Sequence, residues 1–184
     1  MPKEHKDRAE RVMKLAQARR MTLATVESCT AGALAHLLSQ AEGAAETLHG
    51  GFIVYTKENK TAAVGVPKKL LAARTAVSAE VAQAMATGGL GRCPATLVVA
   101  VTGVAGPEPD EDGNPVGLVY VAAAARDSRM RVVRHEFGSQ GKDEICAAAM
   151  SAALALLEEL LRSSPEEQHD EKPITEPHPA RSFR

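Results

Sequence analysis

The chain has 184 residues, of which 45% are hydrophobic and 24% are charged, and its net charge at pH 7 is −1. This length is typical of a single domain, and the balanced charge gives no indication of a nucleic-acid partner or an anionic membrane. Aromatic residues account for only 3% of the chain, so we expect a core of small aliphatic side chains on helices and parallel strands.

The cysteines and the N-terminal sequence favour a cytoplasmic protein. Cys29, Cys93 and Cys146 are odd in number and lack the spacing of metal ligands, which favours a reducing compartment. Residues 1–20 carry charges throughout and lack the apolar centre of a signal peptide. No apolar run approaches the roughly 20 residues that span a membrane.

The first half of the chain alternates helix and strand patterns. Residues 3–20 are predicted to form a helix, because apolar residues recur there at helical spacing. The elements expected next are a strand over 21–27, a helix over 31–40, a strand over 49–56 and helices over 57–64, 68–73 and 79–87. Ser78 is the expected N-cap of the last of these helices. Gly88, Gly89 and Gly91 are expected to end it.

The second half predicts three more strands and a long helix. Residues 95–101 and 117–124 are apolar without alternation, as expected of strands that are covered on both faces. Residues 130–137 predict an edge strand, and residues 145–161 predict the helix. Together the elements predict an α/β fold, a three-layer α/β/α sandwich with a largely parallel, mixed sheet. We expect one domain over 1–162 and a disordered polar tail over 163–184.

The junction of the first strand and the next helix is the first candidate for chemistry. It reads Thr25-Val26-Glu27-Ser28-Cys29-Thr30-Ala31-Gly32. A serine at such a turn is exposed near backbone N–H groups that have no partner inside the helix. This arrangement suits a nucleophile with an oxyanion site. The alternative is that Ser28 is a plain helix cap, and that Cys29 is a small buried apolar residue.

A second stretch, Tyr55-Thr56-Lys57-Glu58-Asn59-Lys60, follows the second predicted strand. A lysine beside a serine can take the serine proton if the lysine is neutral. Partial burial and a nearby positive charge, such as that of Lys57, would both lower the pKa of Lys60 in that direction. Tyr55 is placed to join such a relay. The alternative is a solvated surface turn.

A third stretch, Thr102-Gly103-Val104-Ala105-Gly106-Pro107, follows a buried strand and continues to Gly117. Its glycines allow the backbone to approach a ligand closely. It is neither a P-loop nor a dinucleotide fingerprint. Since ligands in α/β sheets bind beyond the carboxyl ends of strands, we expect this stretch and Ser28 to share a site. The alternative is an ordinary acidic turn. No cluster of His, Asp or Glu has metal-ligand spacing.

In combination these stretches resemble the CinA C-terminal domain family. The motifs that carry the resemblance lie within about residues 10 to 160, in the family's order and spacing. They are Glu27-Ser28-Cys29-Thr30-Ala31-Gly32, Gly50-Gly51-Phe52-Ile53-Val54-Tyr55 with Lys60, Gly65-Val66-Pro67, Val77-Ser78, Thr102-Gly103-Val104-Ala105-Gly106-Pro107 and Pro115-Val116-Gly117.

The resemblance implies a function. Active members of the family are nicotinamide mononucleotide deamidases, which hydrolyse the carboxamide to nicotinate mononucleotide and ammonia in pyridine nucleotide recycling. It implies catalysis by Ser28, Tyr55 and Lys60, no metal or other cofactor, and a homo-oligomer, at least a dimer. The family domain is often fused to a larger N-terminal domain, but only a helix precedes the first predicted strand here, so we expect a stand-alone domain. From the resemblance and from the positions of these residues after predicted strands, we expect the oxyanion and the substrate to be bound by Cys29, Thr30, Gly32, Thr102, Gly103, Gly106 and Lys142.

The sequence departs from the family pattern at three places. Ala31 stands where the family usually has glycine, residues 108–112 are acidic where the family loop is glycine-rich, and Lys142 and Cys146 stand where arginines are common. A lysine meets phosphate as a point charge but lacks the fork of an arginine. Two alternatives therefore remain, namely a CinA-like competence or damage-inducible interaction or regulatory protein with a weakened pocket, and a serine hydrolase that acts on another small amide.

Overall fold

The computed structural model describes residues 2–163. From residue 164 onward, the predicted polar tail lies outside the described residues. Within residues 2–163, no helix combines the length and the apolar composition that crossing a membrane requires.

Seven helices and five strands form the described chain. In chain order they are α1 Lys3–Ala18, β1 Leu23–Glu27, α2 Ala33–Ser39, α3 Ala44–Thr47, β2 Leu48–Ile53, α4 Lys57–Val64, α5 Lys68–Arg74, α6 Ala79–Arg92, β3 Leu97–Gly103, β4 Leu118–Ala125, β5 Met130–Glu136 and α7 Lys142–Arg162. Each predicted element is present with its ends shifted by a few residues. The short helix α3 is an addition that the sequence did not predict.

The strands form one mixed sheet in the order β2-β1-β3-β4-β5. Strand β1 is parallel to β2 and β3, whereas β4 is antiparallel to both β3 and β5. Helices α1, α2 and α7 pack on one face, and α4, α5 and α6 pack on the other. The three-layer α/β/α fold is therefore confirmed, and β5 is the predicted edge strand.

The core consists of small aliphatic side chains, as the composition predicts. The central strand β3 is buried on both faces and pairs with an alanine-rich β4 in the register Val99↔Ala123 and Ala100↔Ala122. One of the largest fully buried side chains is charged in its ordinary state, namely Lys60, which is 1% exposed. Because charged groups are almost never buried without a partner, this lysine requires an explanation.

The glycines of α6 do not end the helix, which continues to Arg92. A Cβ at Gly88 would lie 1.8 Å from the backbone oxygen of Val64, and one at Gly89 would lie 2.7 Å from Cγ2 of Val26. The prediction that these glycines stop the helix was therefore wrong. They instead allow α6 to pack closely against the end of α4 and against the sheet.

Candidate active site

Ser28 and Lys60 meet at the carboxyl ends of the parallel strands. The backbone N–H of Ser28 donates to the carbonyl of Val101 in β3 at 3.0 Å, which extends the sheet by one residue. The Lys60 Nζ donates to Ser28 Oγ at 2.9 Å and to the carbonyl of Val54 at 2.9 Å. These two residues are 32 apart in the chain, and the parallel pairing of β1 with β2 brings them together.

The local sequence explains why Lys60 points inward. Thr56 caps α4, since its Oγ1 accepts from the N–H of Asn59 at 3.2 Å. Within the helix so started, Lys60 and Val64 are the buried residues, and their spacing of four places them on one face. Val64 packs in the core, so the same face carries Lys60 toward the sheet.

Burial lowers the pKa of Lys60 from 10.5 to about 8, and the positive charge of Lys57 acts in the same direction. Cys29 opposes this shift by an effect that is smaller than that of burial and larger than that of Lys57. Desolvation disfavours the ammonium form, because the interior solvates a charge less well than water does. Lys60 can therefore lose its proton close to neutral pH and accept a proton from the hydroxyl that it contacts.

A buried carboxylate organises the turn that carries the serine. Glu27 is 1% exposed. Its two oxygens accept five hydrogen bonds at 2.7 to 3.1 Å, from Thr25 Oγ1, Thr30 Oγ1 and the backbone N–H groups of Gly32, Leu34 and Ala35. Three N–H groups at the start of α2 are thus bound by the protein itself, and among them is that of Gly32, which was expected to bind an oxyanion or substrate. A carboxylate is favourable there because the helix dipole is positive at that end.

The amide groups that remain available for an oxyanion are those of Cys29 and Thr30. Within residues 2–163, neither backbone N–H donates to a protein acceptor. The N–H of Gly32 is bound to Glu27. Gly32 has a φ of +95°, and a Cβ there would lie 3.0 Å from Cδ1 of Ile53. Gly32 is therefore required by the backbone conformation of the turn and by its close packing on Ile53.

We expect Glu27→Gln to weaken both the fold and the site. Glutamine replaces one acceptor oxygen by an NH2 group, which cannot accept a hydrogen bond. At least one backbone N–H that now donates to Glu27 would therefore face another donor. The expected loss in the free energy of unfolding is about 2–4 kcal/mol from buried donors left unpaired. Urea unfolding of this variant measures the loss, and Glu46→Gln on the exposed face of α3 is the matched control. Equal stability of the two variants would contradict this role for Glu27.

Tyr55 lies beside the pair without contacting it through a hydrogen bond. Its side chain is largely exposed, at 60%, and it lines the cleft around Ser28. Within the described residues, no hydrogen bond links the Tyr55 hydroxyl to Ser28 or Lys60. The structure therefore shows a direct contact between lysine and serine, and a catalytic role for Tyr55 remains a prediction.

The loop after β3 contributes backbone more than side chains. Thr102 is buried, and its Oγ1 donates to the carbonyl of Ala76 at 2.8 Å. A Cβ at Gly103 would lie 2.6 Å from Cγ2 of Val119, so this glycine permits the close packing of β3 on β4. Gly106 has a φ of +85°. All three residues line the cleft.

Cys29 and Lys142 differ in their access to the cleft. Burial, with a contribution from Cys146, raises the pKa of the Cys29 thiol to about 12, which makes it a poor nucleophile. The Cys146 thiol donates to the carbonyl of Cys29 at 3.1 Å, so the first turns of α7 lie against the serine turn. Lys142 is the exposed first residue of α7 and is not among the residues that line the cleft.

The cleft has two connected parts that both reach Ser28. The larger, of about 440 Å³, lies between α4 and the loop after β3, and the smaller, of about 210 Å³, lies along residues 103–106. Their combined size suits a small molecule. Ser28 is 7% exposed, and Lys60 Nζ is the group placed to take its hydroxyl proton.

Comparison with known proteins identifies relatives. The family model described as the CinA C-terminal domain matches residues 5–161. A CinA-like protein of Myxococcus xanthus is 40% identical over 144 residues, which are 78% of this chain and 34% of the relative. A CinA-like protein of Desulfovibrio desulfuricans is 40% identical over 157 residues, 85% of this chain and 37% of the relative. The chain thus spans about a third of the length of these curated relatives.

Solved structures show the same architecture. The competence/damage inducible protein CihA from Agrobacterium tumefaciens superposes with a TM-score of 0.84 at 34% identity, over 87% of this chain and 97% of that chain. A CinA superfamily protein from Klebsiella pneumoniae superposes with a TM-score of 0.81 at 34% identity, over 85% of this chain and 97% of that chain.

Proposed function

The chain belongs to the CinA C-terminal domain family, and on that premise we propose that it is an amidohydrolase that converts nicotinamide mononucleotide and water to nicotinate mononucleotide and ammonia. The observation that supports this most directly is the 2.9 Å hydrogen bond between Lys60 Nζ and Ser28 Oγ, formed by a buried lysine whose pKa burial lowers to about 8. A serine activated by a neutral base is a general solution for acyl transfer.

In the proposed reaction Ser28 Oγ attacks the carboxamide carbon, and Lys60 takes the serine proton. As the C–N bond breaks, Lys60 returns a proton to the nitrogen, and ammonia leaves an acyl-serine. Water then attacks the acyl carbon and gives a proton to Lys60. Cleavage of the ester bond releases the carboxylic acid, which ionises to the carboxylate in water, and Lys60 reprotonates Ser28. The cationic pyridinium of the substrate would keep Lys60 neutral during these steps.

The free amides of Cys29 and Thr30 are the proposed oxyanion donors. Each such donor is worth about 3–4 kcal/mol in the transition state of comparable hydrolases. Glu27 would support them from behind, because its carboxylate fixes the turn through Thr30 Oγ1 at 2.7 Å. Tyr55 is proposed to face the bound substrate from the rim of the cleft, where it is largely exposed.

We expect the rate of ammonia release to rise with pH up to about 8. The neutral lysine is the active form, so kcat/KM should increase about tenfold per pH unit well below the pKa of Lys60 and level off above it. Initial rates between pH 5.5 and 9.5 measure this dependence. A profile that is flat or falls over this range would contradict the assignment of Lys60 as the base.

The experiment that tests the proposal is incubation of the purified chain with nicotinamide mononucleotide, with ammonia and nicotinate mononucleotide quantified separately. Equimolar release of both products is expected. Ammonia without nicotinate mononucleotide, or neither product, would overturn the proposal.

A second candidate function is a CinA-like competence or damage-inducible interaction or regulatory protein. The observation that favours it is the acidic lining of the cleft by residues 110–112, which opposes binding of a nucleotide phosphate. An absence of both turnover and nucleotide binding would favour this candidate. From the cysteines and the N-terminal sequence we also propose a cytoplasmic location, and from the family resemblance a homo-oligomer. Sedimentation of the purified chain would measure its assembly state.

A further inference from the structure

The cleft around Ser28 carries far more negative than positive charge. Its two parts are lined by two lysines, Lys57 and Lys60, and by five carboxylates, namely Glu58, Glu108, Asp110, Glu111 and Asp112. The formal sum of these groups is −3 with both lysines protonated. An anion that enters the cleft is therefore repelled, and a cation is attracted.

Neither lysine is available to a phosphate. Lys57 Nζ lies 2.6 Å from Glu111 Oε1 and 2.8 Å from Asp112 Oδ2, and these carboxylates raise its pKa to about 12. Lys60 is 1% exposed and donates to Ser28 and to a backbone carbonyl. An ion pair with phosphate needs a free cationic side chain, and no lysine or arginine of residues 2–163 that lines the cleft offers one.

The carboxylates include one that has no protein partner. Glu108 lines the smaller part of the cleft together with Ser28. Within the described residues it takes part in no ion pair or hydrogen bond. Asp110, in contrast, accepts from the N–H of Asn114 at 2.8 Å and from its side-chain amide at 2.8 Å, so it stiffens the loop that presents Glu108.

The cleft also has an independent mark of a ligand site. Ser28 is 7% exposed, lines both parts of the cleft, and its Oγ accepts a hydrogen bond from the buried Lys60 Nζ at 2.9 Å. A serine at the bottom of a cleft that is hydrogen-bonded to a buried lysine is placed to act as a nucleophile on a bound molecule. The acidic lining therefore surrounds a reacting centre.

We propose that this cleft selects carboxamide substrates that carry a fixed positive charge on their ring, and that it does not bind a phosphate group. A pyridinium carboxamide nucleoside is then used at least as efficiently as its 5′-phosphate. This inference rests on the proposed amidohydrolase function, and it names the substrate class within it. The nucleoside carries +1, whereas the nucleotide carries a phosphate of about −1.5 to −2 at pH 7. Carboxylates that attract the first substrate must disfavour the second.

The test compares kcat/KM for nicotinamide riboside and nicotinamide mononucleotide at two ionic strengths. Between 0.01 M and 0.15 M salt the screening length falls from about 30 Å to about 8 Å. We expect kcat/KM for the riboside to decrease about threefold and that for the mononucleotide to increase about threefold, since the two net charges differ in sign. A higher kcat/KM for the mononucleotide than for the riboside at low salt would overturn the inference, as would the same response to salt for both substrates.

A charge variant locates the effect. Glu108→Gln removes the unpaired carboxylate without breaking a contact, and we expect it to lower the ratio of riboside to mononucleotide kcat/KM about threefold. Glu46→Gln is the matched control, because Glu46 lies on α3, before β2, at the opposite end of the sheet. An unchanged ratio in Glu108→Gln, or an equal change in Glu46→Gln, would overturn the assignment of selectivity to the cleft.

A binding arm separates this inference from the proposed function. If the wild type hydrolyses neither compound, the proposed function fails, and calorimetric titration of the Ser28→Ala variant with each compound still tests selectivity. A dissociation constant at least threefold lower for the riboside supports the inference. Tighter binding of the mononucleotide, or binding of neither compound, overturns it.

Discussion

Replacing Ser28 with alanine is expected to lower kcat for ammonia release by at least about 10⁴-fold, because it removes the atom that forms the acyl intermediate. The fold should remain intact. Within residues 2–163, Ser28 Oγ forms a hydrogen bond only with Lys60 Nζ, which keeps its hydrogen bond to the carbonyl of Val54 at 2.9 Å. Rates of ammonia release and the thermal midpoint of unfolding, measured on the same preparations, check both statements.

Ser78→Ala is the matched control for this experiment. Ser78 is the N-cap of α6, where its Oγ accepts from the N–H of Val81 at 3.3 Å, so the same chemical change there should cost about 1 kcal/mol of stability and leave kcat unchanged. The two variants thus separate a nucleophile from a helix cap. A Ser28→Ala variant that keeps its activity, or that loses only stability as Ser78→Ala does, would show that Ser28 is structural.

The elements and the layers of the fold follow from patterns that the sequence displays directly. The uninterrupted apolar runs of β3 and β4 are buried on both faces, and Ser78 caps α6 as expected. Glycine was the misleading signal. Gly88 and Gly89 are typical of a helix end, yet here they provide the space for Val64 and Val26 to pack against α6. Because these valines are distant in the chain, a local sequence pattern cannot show the contact.

The sequence predicts that Ser28 and Lys60 form a pair, but it does not predict how deeply Lys60 is buried or which charges surround the pair. A lysine in a charged stretch usually lies in water, and only the shared face with Val64 indicates that Lys60 points inward. The depth of its burial depends on α4 packing over the end of β2, a tertiary effect. The pairing of Lys57 with Glu111 and Asp112 is equally remote, since these groups are more than 50 residues apart.

Glu27 is the functional residue that sequence reasoning missed. It lies in a strand whose five residues are all buried, and the motif was interpreted through the serine that follows it. A signal was present, because a buried carboxylate directly before a helix start is a natural acceptor for its free N–H groups. Because Glu27 accepts from the N–H of Gly32, only the amides of Cys29 and Thr30 are left as expected oxyanion donors.

Lys60→Met is expected to lower kcat by about 10³-fold, within the range for loss of a general base, and to leave the protein at least as stable as the wild type. Depressing the pKa of Lys60 from 10.5 to about 8 corresponds to a cost of about 3 kcal/mol for burying the charged form. Methionine avoids that cost and fills a similar volume. It leaves the Val54 carbonyl without a donor, which costs about 1–3 kcal/mol, so the two effects nearly cancel at pH 7.

The cost in the wild type depends on pH, and this dependence identifies its source. Between pH 8 and 10.5 the unfolded chain binds a proton at Lys60 that the folded chain has released, so Lys60 contributes a rise in the free energy of unfolding with pH in this window. The raised pKa of Cys29 contributes an opposite change above pH 9 in every variant, so the rise due to Lys60 is measured as the difference between the wild type and Lys60→Met. The rise should be absent in Lys60→Met and present in Lys69→Met, whose lysine is exposed on α5. An equal rise in both variants would contradict the burial cost.

Lys60→Arg distinguishes a base from a mere positive charge. Arginine keeps the cation near Ser28 but cannot release its proton at any pH that the protein tolerates, so it cannot accept the serine proton. We therefore expect Lys60→Arg to be as inactive as Lys60→Met and to be less stable, because a larger cation must be buried. If Lys60→Arg retained activity, the lysine would act by electrostatic attraction, and the proton of Ser28 would have to leave by another route.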